Sequence, residues 1–131
     1  MEKVCDFLTK AGTFYFLTTA DGKPRGRPFG VYGVKDGKLV LATGTHKACY
    51  REMLANPNVE VVATCGMTFM RIDGTAEPFD DAEFEKDMRA KHPFFDQIYN
   101  EQTGLKICFF FVKDAHVEII TSMKVDDEFS I

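Results

Sequence analysis

The chain of 131 residues contains no tryptophan, so its aromatic packing must come from 13 phenylalanines and four tyrosines. It also lacks an excess of positive charge, because the formal net charge is −4 at pH 7. The overall field therefore gives no reason to expect a nucleic acid or an anionic membrane as the partner. Any anion that the protein binds must be held by a local cluster of donors.

Long apolar runs are also missing. The longest, from Ile107 to Val112, is far below the roughly 20 residues that a transmembrane helix needs. The first residues, Met1 to Asp6, are charged and soon amphipathic, which is not typical of a secretory signal peptide. We therefore expect a cytoplasmic protein.

Cysteine pairs of the kind that bind metals are absent. The four cysteines stand far apart, and none belongs to a C-x-x-C motif or has a histidine at ligand spacing. We expect reduced, mostly buried thiols and no metal site. The chain also has no linker, repeat or low-complexity stretch, which predicts one domain over residues 1–131 with a polar tail from about residue 122.

What is present is a series of short β-branched and aromatic segments separated by turns. The pattern predicts strands over residues 13–19, 25–34, 38–43, 59–65, 69–77, 106–112 and 116–121. Helices are predicted over residues 2–11, after residue 45 until Asn56-Pro57, from about 80 to 91, and over 94–99. Local hairpins with inserted helices favour a closed antiparallel barrel, mainly β with helices, over an open parallel sheet.

One predicted strand is apolar on both faces. The segment Cys108-Phe109-Phe110-Phe111-Val112 lacks the alternation of a half-exposed strand. Either a helix or a second subunit must cover its second face. We favour the subunit, because a monomer exposes only limited contiguous apolar area.

Two segments predict an anion site. Arg25 and Arg27 are two residues apart on a strand and therefore point to the same face. The hairpin that follows brings this strand beside another that ends in Thr43-Gly44-Thr45 and leads into a helix next to Lys47. Free N–H groups at the helix start, hydroxyls and an ammonium group together suit a phosphate. The alternative is that these cations are ordinary surface charges and Thr45 is only a helix cap.

Several motifs then follow one another in a recognisable order. They are Gly22-Lys23-Pro24-Arg25-Gly26-Arg27-Pro28-Phe29-Gly30, Asp36-Gly37-Lys38-Leu39, Thr43 to Lys47, Leu54-Ala55-Asn56-Pro57-Asn58-Val59 and Asp73-Gly74-Thr75-Ala76. Over roughly residues 2–122 the chain resembles the pyridoxamine 5′-phosphate oxidase-like FMN-binding split barrels, particularly small single-domain members from anaerobes. The resemblance implies a split β-barrel of six to seven strands that forms a homodimer with FMN at the subunit interface.

The resemblance also implies roles for individual residues. Arg27 and Lys47, with Thr45, would hold the phosphate, and Thr43 would sit beside the ribityl or phosphate group. The further implied contacts are Pro28, Phe29 and Gly30 along the isoalloxazine, His46 near the phosphate, and Phe109 and Phe111 of the partner chain over the other flavin face. The role of Arg71 stays open between an interface ion pair, a flavin contact and an ordinary surface charge.

The chain departs from true pyridoxamine-phosphate oxidases in two respects. Tyr32 stands where those enzymes continue into a basic residue, and the extended C-terminal segment that grips their substrate is lacking. Both differences argue against vitamin B6 oxidation and leave FMN binding intact.

The leading hypothesis is a flavin-dependent oxidoreductase that passes a hydride from a reduced nicotinamide through FMN to a small molecule. Some relatives are linked to nitroimidazole reduction. The alternatives are a non-catalytic flavin carrier, or a member of the fold that binds haem or the deazaflavin F420. Haem would need an axial ligand from His46, His92, His116 or a cysteine.

Overall fold

The computed structural model describes all 131 residues and contains eight strands and four helices. The helices are α1 (Glu2–Ala11), α2 (Ala48–Ala55), α3 (Ala82–Lys91) and α4 (Phe94–Ile98). The strands are β1 (Phe14–Ala20), β2 (Lys23–Phe29), β3 (Gly33–Lys35), β4 (Lys38–Gly44), β5 (Asn58–Cys65), β6 (Thr68–Phe79), β7 (Ile107–Thr121) and β8 (Lys124–Ser130). None of the helices is long and apolar enough to cross a membrane.

All strand pairs are antiparallel, in the order β2-β1-β5-β6-β7-β4-β3, with β8 added beside β7. The two edge strands, β2 and β3, are separated in sequence only by residues 30–32. Since an extended chain advances at most about 3.6 Å per residue, these edges lie within about 14 Å of each other. The sheet must therefore curl into a barrel with a seam between β2 and β3. The predicted fold class, mainly β with helices in a split barrel, is confirmed.

The barrel interior is filled by residues that alternate along the strands. Phe16 on β1 and Phe110 on β7 are fully buried, and their ring centroids are 5.2 Å apart. From α1, Val4 and Leu8 pack into the same core. Burying each large apolar side chain contributes about 1.5–3 kcal/mol, so this interior is the main source of stability.

A second apolar cluster lies on the opposite face of β7, where Phe109 and Phe111 point away from the barrel interior. The ring of Phe84 on α3 is 5.3 Å from that of Phe109, and Phe79 stacks on Phe111 at 4.3 Å. Met88 completes the cover from α3. The expectation that a second subunit covers this face is therefore wrong, because the chain's own helix does so.

The last residues form a strand instead of the expected tail. Residues Lys124–Ser130 pair with β7, which runs unbroken from Ile107 to Thr121 and replaces two predicted strands. The side chains on the solvated face of an antiparallel strand can be polar, while its backbone N–H and C=O groups form hydrogen bonds with the neighbouring strand. The side chains of β8 add the Lys3–Asp127 ion pair and a contact of 2.8 Å between His116 Nε2 and Glu128 Oε1. The barrel therefore has eight strands, and six to seven were expected.

Candidate functional site

A cavity of about 530 Å³ opens beside the seam of the barrel. Its walls come from the end of β2 and the loop after it, the end of β4, the first turn of α2, and α4. The volume lies within the roughly 300–1,000 Å³ of typical small-molecule sites. Six residues predicted from the sequence line it, namely Arg27, Pro28, Phe29, Gly30, Thr43 and Lys47.

Three other predicted residues lie outside the cavity wall. Arg25 is exposed on β2, opposite Thr18 on the neighbouring strand. The backbone N–H of Thr45 donates to the carbonyl of Lys106 at 2.9 Å, which ties this turn to the start of β7. His46 is exposed and lies against the backbone of the preceding residues, because a Cβ at Gly44 would be 2.5 Å from its ring. The structure thus gathers most, but not all, of the predicted anion cluster.

The cationic end of the cavity is formed by Lys47 and the start of α2. Lys47 is the N-cap of this helix, and its backbone N–H donates to the carbonyl of Gly44 at 3.0 Å. No side chain caps the helix, so its first N–H groups remain available to a ligand. The Lys47 ammonium forms no ion pair within the chain and lines the same space. A free ammonium beside an uncapped helix start is an arrangement that attracts phosphate.

Thr43 supplies a poorly satisfied polar atom at this end. The residue is 3% exposed, and its hydroxyl forms no well-aligned hydrogen bond, because the polar group beside it is the Cys49 thiol, which is a weak partner. A buried polar group in this state destabilises the fold by about 1–3 kcal/mol. Thr43 lines the cavity together with Cys49, and its hydroxyl oxygen is shielded from solvent. The donor set therefore fits a phosphate ester.

Arg27 enters the cavity wall from a buried polar network. Its Nη1 donates to the Thr18 hydroxyl at 2.9 Å, and its Nη2 donates to Oε1 of Glu52 at 2.7 Å. The Thr18 hydroxyl also donates to Glu52, at 2.9 Å, and these bonds from Thr18 and Arg27 hold the pKa of Glu52 below its usual range. A guanidinium has five N–H donors, so the network fixes Arg27 while leaving donors free for a ligand.

The far wall of the cavity is apolar and comes from α4. Phe94 and Ile98 line the mouth and are 43% and 40% exposed, whereas Phe95 is buried against Phe109 with ring centroids 6.3 Å apart. Tyr99, at the end of this helix, also lines the cavity, and its hydroxyl lies close to Gly44. The sequence predicts this helical turn but does not place it at the site. The one available signal was the Phe94-Phe95 pair beside a predicted helix end.

The remaining candidates lie elsewhere. Arg71 does not line the cavity and is held in ion pairs with Glu118 at 2.9 Å and Glu60 at 3.7 Å. Phe109 and Phe111 are 4% and 9% exposed beneath α3. This burial contradicts the expectation that the two rings cover a flavin of the partner chain.

The histidines do not line the main cavity either. His92 belongs to a neighbouring cavity of about 500 Å³ between the loop after β2 and α3. His116 Nε2 lies 3.6 Å from Glu118 Oε1 and 2.8 Å from Glu128 Oε1, away from the cavity. No group of three or more histidine, cysteine or acidic side chains is arranged to hold a metal ion. The ionisable groups that line the main cavity are Arg27, Lys47, Cys49 and Tyr99.

Comparison with known proteins agrees with this geometry. A family model described as pyridoxamine 5′-phosphate oxidase matches residues 1–107. No curated protein sequence matches the chain. The structure of a NimC/NimA family protein from Clostridium acetobutylicum is 26% identical, with a TM-score of 0.88 over 100% of this chain and 93% of that chain.

Two more distant structures share the fold. General stress protein 26 from Bacillus anthracis is 15% identical, with a TM-score of 0.75 over 99% of this chain and 97% of its own. A haem-binding protein from Mycobacterium smegmatis is 16% identical, with a TM-score of 0.67 over 95% of this chain and 55% of its own. The same barrel therefore occurs in proteins described by different names and ligands.

Proposed function

Since the chain belongs to the pyridoxamine 5′-phosphate oxidase family, we propose that it is a flavoprotein that binds FMN in the seam cavity. We further propose that it acts as an oxidoreductase on a small molecule, with a reduced nicotinamide as the electron donor. The bound FMN would supply the hydride chemistry, and the protein would supply binding, orientation and exclusion of water.

The observation that carries this proposal is the Lys47 ammonium, free of ion pairs, beside the uncapped start of α2 in a cavity with a largely apolar lining. A phosphate monoester carries about 1.5–2 negative charges near pH 7 and several strong acceptor oxygens. Lys47 and the first turn of α2 match that charge, and Thr43 can donate its hydroxyl hydrogen. Arg27 adds donors that its network with Glu52 leaves free.

The other end of the cavity suits a flat, apolar ring system. Phe94 and Ile98 form one wall, and the segment of Pro28, Phe29 and Gly30 forms the opposite one. A ligand with an anionic group at one end and an aromatic group at the other therefore matches the distribution of charge and apolar surface. FMN has this construction.

The residues that line the cavity are suited to binding and orienting a ligand, and few of them can exchange a proton with it. No carboxylate or imidazole lines it, and its only neutral ionisable groups are the Cys49 thiol and the Tyr99 phenol. Burial raises the pKa of both groups, so both stay protonated near neutral pH. The Tyr99 hydroxyl is therefore the one neutral O–H besides that of Thr43 that can donate a hydrogen bond into the cavity.

A homodimer is part of the proposal. Tyr15 on β1 is 48% exposed on the outer face of the sheet and lies between Pro28 on β2 and Val62 on β5. Pro28 also lines the cavity. A partner that covers Tyr15 would therefore border the ligand as well.

The test is to purify the protein without added cofactor, record its absorption spectrum and identify any released chromophore by mass. FMN at about one per chain, or tight binding of added FMN, supports the proposal. Reduction of the bound flavin by NADH or NADPH with turnover of an acceptor supports the oxidoreductase role, whereas bound but unreactive FMN indicates a carrier. Protein that neither contains nor binds FMN overturns the proposal. A Soret band would also overturn the proposal and would indicate bound haem, although no histidine lines the cavity to serve as an axial ligand.

A further inference from the structure

We infer that Arg89 is a positioning residue for the ligand ring: it holds α4 against the cavity so that Phe94 and Ile98 contact the planar part of the bound molecule. This inference rests on the proposed function and assigns a specificity role to a residue outside the cavity. Arg89 lies on α3 and does not line the seam cavity. Its link toward the cationic end is Tyr99, whose carbonyl it holds and whose hydroxyl lies close to Gly44.

Arg89 fastens α4 at two points. Its Nη1 donates to Oδ1 of Asp96 at 2.7 Å and to the backbone carbonyl of Tyr99 at 3.0 Å. Its Nε donates to Oε2 of Glu85 at 2.9 Å, which anchors the guanidinium to its own helix. The side chain is 23% exposed, so it is partly withdrawn from water. The planar guanidinium of Arg89 thus joins the middle and the end of α4 to α3. A lysine ammonium would not hold both contacts equally well.

The short helix needs such a fastening. It spans only Phe94–Ile98, and no side chain caps its N-terminus. A single helical turn is not stable by itself in water, because nucleation fixes several residues for few hydrogen bonds. Within α4 only Phe95 is buried, and Tyr99 is buried directly after the helix. Asn100 and Thr103 donate hydrogen bonds to its last carbonyls, so the Arg89 contacts are the ones that tie α4 to α3.

The position of α4 matters for ligand binding because two of its side chains are exposed at the cavity. Phe94 and Ile98, four residues apart on one helical face, remain 43% and 40% exposed at the cavity mouth. Their apolar surface is available to a ligand ring, whereas Lys47 and Thr43 serve the phosphate at the other end. Loosening α4 should therefore weaken contacts to the ring more than contacts to the phosphate, because α4 reaches the cationic end only through Tyr99.

The experiment compares Arg89→Gln with Lys86→Gln. Lys86 lies on the same helix, is exposed and forms no ion pair, so the control makes the same charge change without touching α4. Dissociation constants and dissociation rates are measured for FMN and riboflavin, and inorganic phosphate is tested as a competitor of FMN. We expect Arg89→Gln to weaken both flavins about tenfold, equivalent to about 1.4 kcal/mol, mainly through faster dissociation. The inhibition constant of phosphate should change much less than the riboflavin dissociation constant.

Asp96→Asn provides a second, milder variant, because it keeps the shape of the side chain and removes only one of the contacts that Arg89 makes with α4. Asp96→Asn should weaken riboflavin binding two- to fourfold. If Arg89→Gln does not fold, the riboflavin affinity of Asp96→Asn is the deciding measurement. Equal riboflavin affinity in Arg89→Gln and Lys86→Gln, with wild-type FMN binding intact, overturns this inference alone. A loss of phosphate competition as large as the loss of riboflavin binding also overturns it, because the effect would then be general. Wild-type protein that binds neither flavin overturns both this inference and the proposed function.

Discussion

Replacing Thr43 by valine should make the ligand-free protein more stable and the FMN complex weaker. The substitution exchanges a buried hydroxyl, whose contact with the Cys49 thiol is only a weak hydrogen bond, for a methyl group of similar shape. Since an unsatisfied buried polar group destabilises by about 1–3 kcal/mol, we expect the free energy of unfolding to rise by about 1 kcal/mol. For a domain of this size that corresponds to about 4 °C in Tm.

The same substitution removes a donor from the proposed phosphate site. A hydrogen bond to a charged group contributes about 1.5–3 kcal/mol, so FMN affinity should fall at least about tenfold. Urea and thermal unfolding of ligand-free protein measure the first effect, and fluorescence titration with FMN measures the second. A gain in stability together with a loss of FMN affinity would indicate that Thr43 contributes to binding at the expense of stability.

Thr18→Val is the matched control. Thr18 is also 3% exposed, but its hydroxyl accepts from Arg27 and donates to Glu52. Its loss leaves those groups short of a partner, so this variant should be less stable than wild type by about 1–3 kcal/mol. A Thr43→Val variant that is destabilised like Thr18→Val, or that binds FMN as tightly as wild type, would refute the reasoning.

Lys47→Ala should weaken FMN binding by about 1.5–3 kcal/mol, roughly ten- to a hundredfold, with little change in unfolding free energy; wild-type affinity in a titration would place the phosphate elsewhere. Arg27→Ala should weaken FMN similarly and also destabilise the protein, because it strips Glu52 of its cation; denaturation of the ligand-free variant checks this. The lowered pKa of Glu52 stabilises the fold above the ordinary carboxylate pKa, and that contribution is lost as pH falls through the lowered value. Glu52→Gln should therefore flatten the loss of stability between about pH 5 and 3, and an unchanged acid limb in unfolding curves would contradict it. His92→Ala should leave FMN affinity within about twofold of wild type, because it lines the neighbouring cavity.

The features that the sequence predicts well are those determined over short distances along the chain. Alternation in Phe14, Phe16 and Thr18 marks the inward face of β1, and Asp36-Gly37 marks a hairpin turn. The expectation that this hairpin places the arginine strand beside β4 is wrong, because the predicted strand 25–34 divides into β2, which pairs with β1, and β3, which pairs with β4. The cationic end of the cavity, in contrast, was predictable from short distances along the chain. The end of β4 and the start of α2 are adjacent in sequence, so Thr43 and Lys47 must lie close together wherever the barrel places them.

Features that depend on contacts between distant segments were not predictable in this way. Glu52 on α2 and Arg27 on β2 are 25 residues apart in sequence. The residues next to either of them in sequence do not indicate that the two side chains pair. The cover over Phe109 and Phe111 required knowing where α3 packs. The strand β8 was missed because its polar side chains carry no apolar alternation, and its backbone pairing with β7 stabilises it instead.

The seam between β2 and β3 separates two kinds of constraint on the sequence. The packed interior, from Phe16 to Phe110, maintains the barrel without using the cavity ligand. Phe29 is constrained by both, because it lines the cavity and stacks on Phe16 with ring centroids 5.2 Å apart. The exposed residues of the cavity wall, such as Phe94 and Ile98, can change without dismantling the scaffold. On such a fold, these exposed side chains determine which ligand is bound, and the shape of the barrel alone does not reveal it.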